Sequence, residues 1–207
     1  MKKLQKYFTS RYLSIKSKMK YFSTYIDPIF LYNSELWTAN NTTNNEIDSF
    51  HRRMLRKAIN KTWPKNTYTN TELYNNTQAT PWSEVIKTRR IRWTGHLLRL
   101  NPSTPARISL NELTRPTTKK RGRTPNTWLK TIYNDLEGVI TNLPRNPQQM
   151  ISTLETLASN KKSWREIVRR STVQKNWSCL KQQHRKLMAP LGWNIATRFL
   201  PPIESQR

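Results

Sequence analysis

Arg89-Arg90-Ile91-Arg92-Trp93-Thr94-Gly95-His96-Leu97-Leu98-Arg99 decides the fold. At ~100° per residue, a helix entered at Pro81 gathers Trp82, Ile86, Trp93, Leu97 and Leu100 on one arc. Ile91 and Leu98 project nearly opposite, and Arg89, Arg92, His96 and Arg99 run along one flank. Such a helix packs on two sides and leaves a basic stripe accessible. Gly95 in its interior costs about 0.5–1 kcal/mol relative to Ala, which predicts a close approach there by another backbone or a phosphate. The plainer reading is a solvated arginine face with Gly95 permitting helix packing.

Outward from that helix the chain reads as helices broken at Pro and Asn, with no convincing period-two alternation, so the expected fold class is mainly α, a small helical bundle followed by further helices. Tyr12, Ile15, Met19, Phe22, Ile26, Ile29 and Phe30 lie close to helical spacing, with Pro28 as a kink or restart. Thr38 to Asn45 has little to bury and reads as a loop. Glu46 to Asn60 resumes helical spacing through Ile47, Phe50, Met54, Leu55, Ala58 and Ile59, which assigns His51, Arg52, Arg53, Arg56 and Lys57 to the polar faces. A short helix is expected around Glu72 to Asn75. Thr80-Pro81, Thr104-Pro105 and Thr124-Pro125 each pair a hydroxyl able to accept from an orphan amide with a proline suited to a first turn. They predict helices over about 81–100, 105–113 and 125–141. Ser163-Trp164-Arg165-Glu166 has capping-box spacing and predicts the start or restart of another helix toward Ser171. Four regions follow: 1–64, a polar linker 65–80, a basic helical region 81–173, and a loose tail 174–207.

Between the second and third of these starts and the helix at Trp128 lies Lys119-Lys120-Arg121-Gly122-Arg123. Arg121-Gly122-Arg123 suits a narrow minor groove, a nuclear-import address or a nonspecific phosphate clamp, the clamp being the default. Trp128, Leu129, Ile132, Tyr133, Leu136 and Val139 have the spacing of a buried face rather than of a base-stacking platform.

Composition points the same way. The 207 residues carry a formal charge of +25, a pI near 10.7 and a mean hydropathy of −0.85. That excess repels itself unless a polyanion neutralises it, so the expected partner is RNA or DNA rather than an anionic membrane. No apolar run approaches the roughly 18–20 residues of a membrane span, and Met1 to Lys20 lacks the apolar core of a signal peptide. Intracellular residence is expected. Cys179 is alone, which excludes an intrachain disulfide and a thiolate zinc cluster.

Chemistry is excluded by what is missing. A polymerase holds two metal ions with clustered carboxylates, whereas the aspartates here are Asp27, Asp48 and Asp135, far apart in sequence. Glu137 stands two residues from Asp135, and on a helix such neighbours diverge. His96 has no Asp or Glu one turn away and is remote from His51 and His184, so no metal or catalytic site follows from it. With no Gly-rich phosphate loop either, no cofactor is expected, and the chain alone should not catalyse.

The ordered blocks Tyr32-Asn33-Ser34-Glu35-Leu36-Trp37, Phe50-His51-Arg52-Arg53-Met54-Leu55-Arg56, Arg89 to Arg99 and Arg121-Gly122-Arg123-Thr124-Pro125-Asn126-Thr127-Trp128 resemble the C-terminal region of reverse transcriptases from non-LTR (LINE-type) retrotransposons. The resemblance runs from about Arg11 to Arg170. It implies a helical thumb and the segment after it, downstream of the palm of an RNA-directed DNA polymerase. It also implies contact with template–primer or target nucleic acid through Arg89, Arg92, His96, Arg99, Lys119, Lys120, Arg121 and Arg123. The family usually has Gly where Asn33 stands and no residue where Thr124 stands. An independent basic RNA- or DNA-binding module and an inert retrotransposon remnant are the competing readings.

Overall fold

In the computed structural model, residues 4–61, 68–115 and 126–172 are described. The fold is mainly α, with no strand among the described residues. In order come α1 (Gln5–Thr9), α2 (Ile15–Tyr25), α3 (Asp27–Phe30), a 3-10 turn (Ser34–Leu36), α4 (Asn41–Ala58), α5 (Asn70–Thr77), α6 (Trp82–Leu98), α7 (Pro105–Glu112), α8 (Trp128–Leu136) and α9 (Pro147–Ser159). A further helix, α10, occupies 161–172. Met1–Ser171 form one compact unit and Thr172–Arg207 a second, of which Thr172 alone is described. The expected loose tail, Lys119, Lys120, Arg121 and Arg123, and the Thr124-Pro125 start all lie outside the described residues.

Local capping explains most boundaries. Ser14 accepts from the Ser17 amide to start α2, and Pro28 sits in the first turn of α3, restarting the chain as expected. The Asn/Thr stretch 38–45, expected as a loop, is helical from Asn41, because the Asn40 side chain accepts from the Thr43 amide and starts α4 early. A Thr69/Glu72 capping box lengthens the expected short helix to Asn70–Thr77. The helix expected toward Ser171 is present, but Ser163 is not its cap. The Asn160 carboxamide oxygen receives the amides of Lys162 and Ser163, so α10 is already under way at Ser163. Helix α9, for which the sequence offered no reading, starts on Asn146 with Pro147 in its first turn.

The prolines at 81 and 105 do mark helix starts, but their threonines do not cap. Thr104 turns its hydroxyl back to donate to the Asn101 carbonyl. At α6 the N-cap is Pro81 itself, and the cap comes from another helix: Asp48 of α4 accepts from the Ser83 amide (2.9 Å) and hydroxyl (2.6 Å). That also places a carboxylate at the positive end of the α6 dipole.

Two clusters share α6. Around its N-terminal half, Trp82 and Ile86 join Phe8, Phe22, Leu31, Leu55, Ala58, Ile59 and Leu73. Around its C-terminal half, Ile91, Leu97 and Leu98 join a mainly aliphatic set from α7 to α10 that includes Leu110, Ile132, Leu136, Met150 and Leu154, together with Trp164. The face read from Trp128 is accordingly in the core, with Leu129, Ile132 and Leu136 buried. The early apolar arc is only partly so: Phe22 is buried, but Tyr12 and Ile29 are 99% and 79% exposed. Tyr12 precedes α2, and the break at Ile26–Asp27 shifts the helical phase before Ile29 is reached.

Candidate nucleic-acid interface

Helix α6 positions every candidate that the described residues contain. Arg92 and His96, one turn apart, are exposed, and the His96 ring lies 5.2 Å from that of Trp93. Arg89 and Arg99 on the same flank are half-buried and engaged. Arg89 Nη1 donates to the Leu31 carbonyl (2.7 Å), and Arg99 Nη1 donates to that of Ala158 (3.2 Å). The basic flank is thus brought together along one helix, but only its middle pair points outward.

Arg90, which the sequence reading passed over, is the most enclosed arginine of the helix. It is 1% exposed, and its Nε meets Asp135 Oδ2 at 2.6 Å while Nη1 donates to the Trp37 carbonyl at 2.8 Å. A buried guanidinium is tolerated only with such pairing. Its position one turn after Ile86 and one turn before Thr94, on the stripe that ends at Leu97, was the signal that would have found it.

All three aspartates of the chain converge on this helix. Asp27 accepts from Trp82 Nε1 (2.9 Å), Asp48 caps at Ser83, and Asp135 holds Arg90. Burial raises the Asp27 carboxyl above its ordinary range, a rise that the Trp82 hydrogen bond and the Arg89 charge oppose. The carboxylates that a sequence search would examine for metal chemistry therefore fasten α6, and no group of three His, Cys, Asp or Glu among the described residues could hold a metal ion.

The segment Leu31–Ala39 serves as the receiving surface. Its carbonyls at Leu31, Trp37 and Ala39 accept from Arg89, Arg90 and Asn126, and the Glu35 carbonyl accepts from Trp128 Nε1 at 2.9 Å. Asn33 turns the chain with φ 52°, ψ 22°, a left-handed conformation open to Gly and, at small cost, to Asn. Asn33 is thus chemically suited to the place where the resembled family carries Gly.

Gly95 answers to neither a backbone nor a phosphate. A Cβ at that position would overlap the Trp164 indole, which donates to the Ile91 carbonyl at 3.1 Å. The glycine is the seat of a tryptophan from α10. His51, assigned above to a polar face, is buried: its ring stacks on Trp82 at 4.4 Å and 13°. The flat indole of Trp82 takes the imidazole as its packing neighbour, so this polar side chain faces the core. Burial, helped by the Arg52 charge, lowers the His51 pKa from 6.5 to about 3, so the imidazole is neutral at physiological pH.

An open cavity of about 750 Å³ lies where α7 ends and α8 and α9 begin, lined by Arg115, Lys130, Tyr133, Glu137 and Arg145 among others. Arg115 and Thr127, on either side of the segment that contains Lys119 to Arg123, both line it. No helix among the described residues is long and apolar enough to cross a membrane.

The chain is similar to a transposon-derived protein of Caenorhabditis elegans, 24% identical over 164 residues, covering 76% of this chain and 56% of the relative. It therefore spans little more than half of that protein. No family model matches the chain, and no solved structure matches it.

Proposed function

We propose that this chain is the nucleic-acid-binding helical region that follows the palm in a non-LTR retrotransposon reverse transcriptase, the thumb and the segment after it. One observation carries the reading: the separate blocks of the resemblance are parts of one joint. Tyr32–Trp37 receives Arg90 and, some ninety residues along the chain, Trp128, while His51 packs on Trp82 at the head of the Arg89–Arg99 helix. A motif order maintained by mutual contact is what a real domain requires. The transposon-derived relative gives the same direction. In this reading Arg92 and His96 meet the polynucleotide directly, and Lys119, Lys120, Arg121 and Arg123 clamp phosphates. Arg89 and Arg99 brace the helix through the Leu31 and Ala158 carbonyls.

The test is a salt titration of the full chain on a 20-base-pair duplex by fluorescence anisotropy. Log K is expected to fall linearly with log salt, by ~0.9 for each phosphate neutralised. Arg92→Gln should reduce that slope by about one unit, and the double change Lys181→Gln with Lys186→Gln by much less. A flat salt response, or equal losses from tail and helix, refutes the assignment of the interface to α6.

A further inference from the structure

A second binding surface, separate from α6, is built from tyrosines at the start of the chain. Tyr7 of α1 stacks on Tyr21 of α2 with centroids 5.5 Å apart and planes at 28°. Tyr21 stacks on Tyr25, one turn further along α2, at 6.4 Å and 12°. The ladder ends in the open: Tyr7 is 39% and Tyr25 50% exposed. Lys6 Nζ lies 5.3 Å from the Tyr7 centroid, and Lys16 and Lys20 are exposed on α2.

The first 26 residues carry charge of one sign, and the Asp27 that follows is bonded to Trp82 Nε1. Residues 1–26 contain Lys2, Lys3, Lys6, Arg11, Lys16, Lys18 and Lys20 and no acid. Helix α2 packs on α4 and α5, whose Asp48 and Glu72 are bonded to Ser83 and Thr69, leaving Glu46 as the nearest uncommitted carboxylate on those helices. A ring stack serving only to hold α1 on α2 would close its last ring against apolar side chains. Here the last ring keeps half its surface in water.

We infer that the Tyr7–Tyr21–Tyr25 ladder binds single-stranded nucleic acid, an unpaired base stacking on an exposed end ring, Tyr25 or Tyr7, while Lys6, which lies against Tyr7, takes a neighbouring phosphate. Flat π-faces beside cations are the chemistry that holds unpaired bases without reading their sequence. A duplex keeps its base faces covered by its own stacking and cannot use the ladder. The site does not depend on the α6 assignment, because it shares no residue with it.

The experiment uses the full chain with a fluorescein-labelled fifteen-nucleotide oligouridylate and, separately, the duplex. Tyr25→Ala should weaken single-strand binding by roughly 5- to 150-fold, the equivalent of one lost base–aromatic stack. The salt slope should stay the same, since no charge is removed. Duplex affinity should not change, and Tyr25→Phe should bind the oligonucleotide like the unaltered chain. Lys6→Gln should lower the single-strand slope by ~0.7. Unaltered single-strand affinity in both Tyr25→Ala and Tyr7→Leu overturns the inference, as does an equal loss on the duplex. So does a loss confined to vesicles containing phosphatidylserine, which would assign the tyrosines to a membrane. Should Tyr25→Ala lower the melting temperature, Tyr7→Leu at the other open end decides by the same criteria. Duplex binding that persists through every failure leaves the α6 reading standing.

Discussion

The two halves of the core meet on α6 but are built from different materials. The first is a pile of aromatic plates: Trp82 stacks on Phe30 at 4.0 Å and on His51 at 4.4 Å, with Phe22 and Phe50 near. Polar groups are wedged between them, Asp27 on the indole N–H and His51 face-on. The second is aliphatic, with Leu, Ile and Met side chains around one keyed contact, Trp164 seated on Gly95. Flat rings admit a titratable neighbour as a packing partner; branched aliphatic side chains do not. The first half should therefore respond to pH and the second to volume.

Volume gives the largest expected effect. Trp164→Ala should cost about 3–5 kcal/mol, the usual range for emptying a buried tryptophan site, read by urea denaturation. Gly95→Ala sharpens the point because its sign should reverse. In the unaltered chain the new methyl meets the indole and destabilises. With Trp164→Ala already in place, the same change should stabilise by about 0.5–1 kcal/mol, the ordinary helix preference for Ala over Gly. Gly95→Ala destabilising equally in both backgrounds would show that Trp164 is not what the glycine accommodates.

The response to pH belongs to His51. Its folded pKa is depressed to about 3 from an ordinary 6.5, so between those values the unfolded chain binds the extra proton. Its stabilising share is complete above about pH 6.5 and shrinks as pH falls toward 3, by up to about 1.4 kcal/mol per unit. His51→Phe preserves a flat ring against Trp82 and should remove that slope between pH 6.5 and 5, measured by denaturation at each pH. A slope that survives would place the titration elsewhere, and the contrast between the two halves would be lost.

The smallest effect tests the joint between them. Asn33→Ala should cost about 1 kcal/mol, because a left-handed turn is imposed on a residue that resists it, whereas Asn33→Gly should be close to neutral. Equal costs for the two would mean that the Asn33 side chain, rather than its backbone angle, matters.

Much of this was legible in advance, and for identifiable reasons. The α6 arc, the Pro28 restart and the core face from Leu129 follow from spacing, because burial on one side leaves a period in the sequence. Asn40 and Asn160 show where reading failed: a single capping side chain moves a helix start by several residues, and Asn-rich stretches look the same whether they cap or loop. His51 and Arg90 were misplaced or missed because polarity was taken as a guide to exposure, while each is buried beside a partner remote in sequence, Trp82 or Asp135. The candidate interface was half legible. The basic flank was visible, but that Arg89 and Arg99 spend a nitrogen on the Leu31 and Ala158 carbonyls depends on segments no local pattern connects to them.

The receiving surface at Leu31–Ala39 has a consequence for how such a sequence can drift. What it contributes to these four hydrogen bonds is main-chain oxygen, which every amino acid supplies alike. Codons for Leu36 or Thr38 are therefore free to change without altering the acceptors, provided the turn at Asn33 is kept. The donors enjoy no such freedom: Arg89, Arg90, Asn126 and Trp128 offer side-chain N–H groups that few replacements reproduce. Hydrogen bonds made this way write their specification on the donors, so random mutation should erode them from the donor side first.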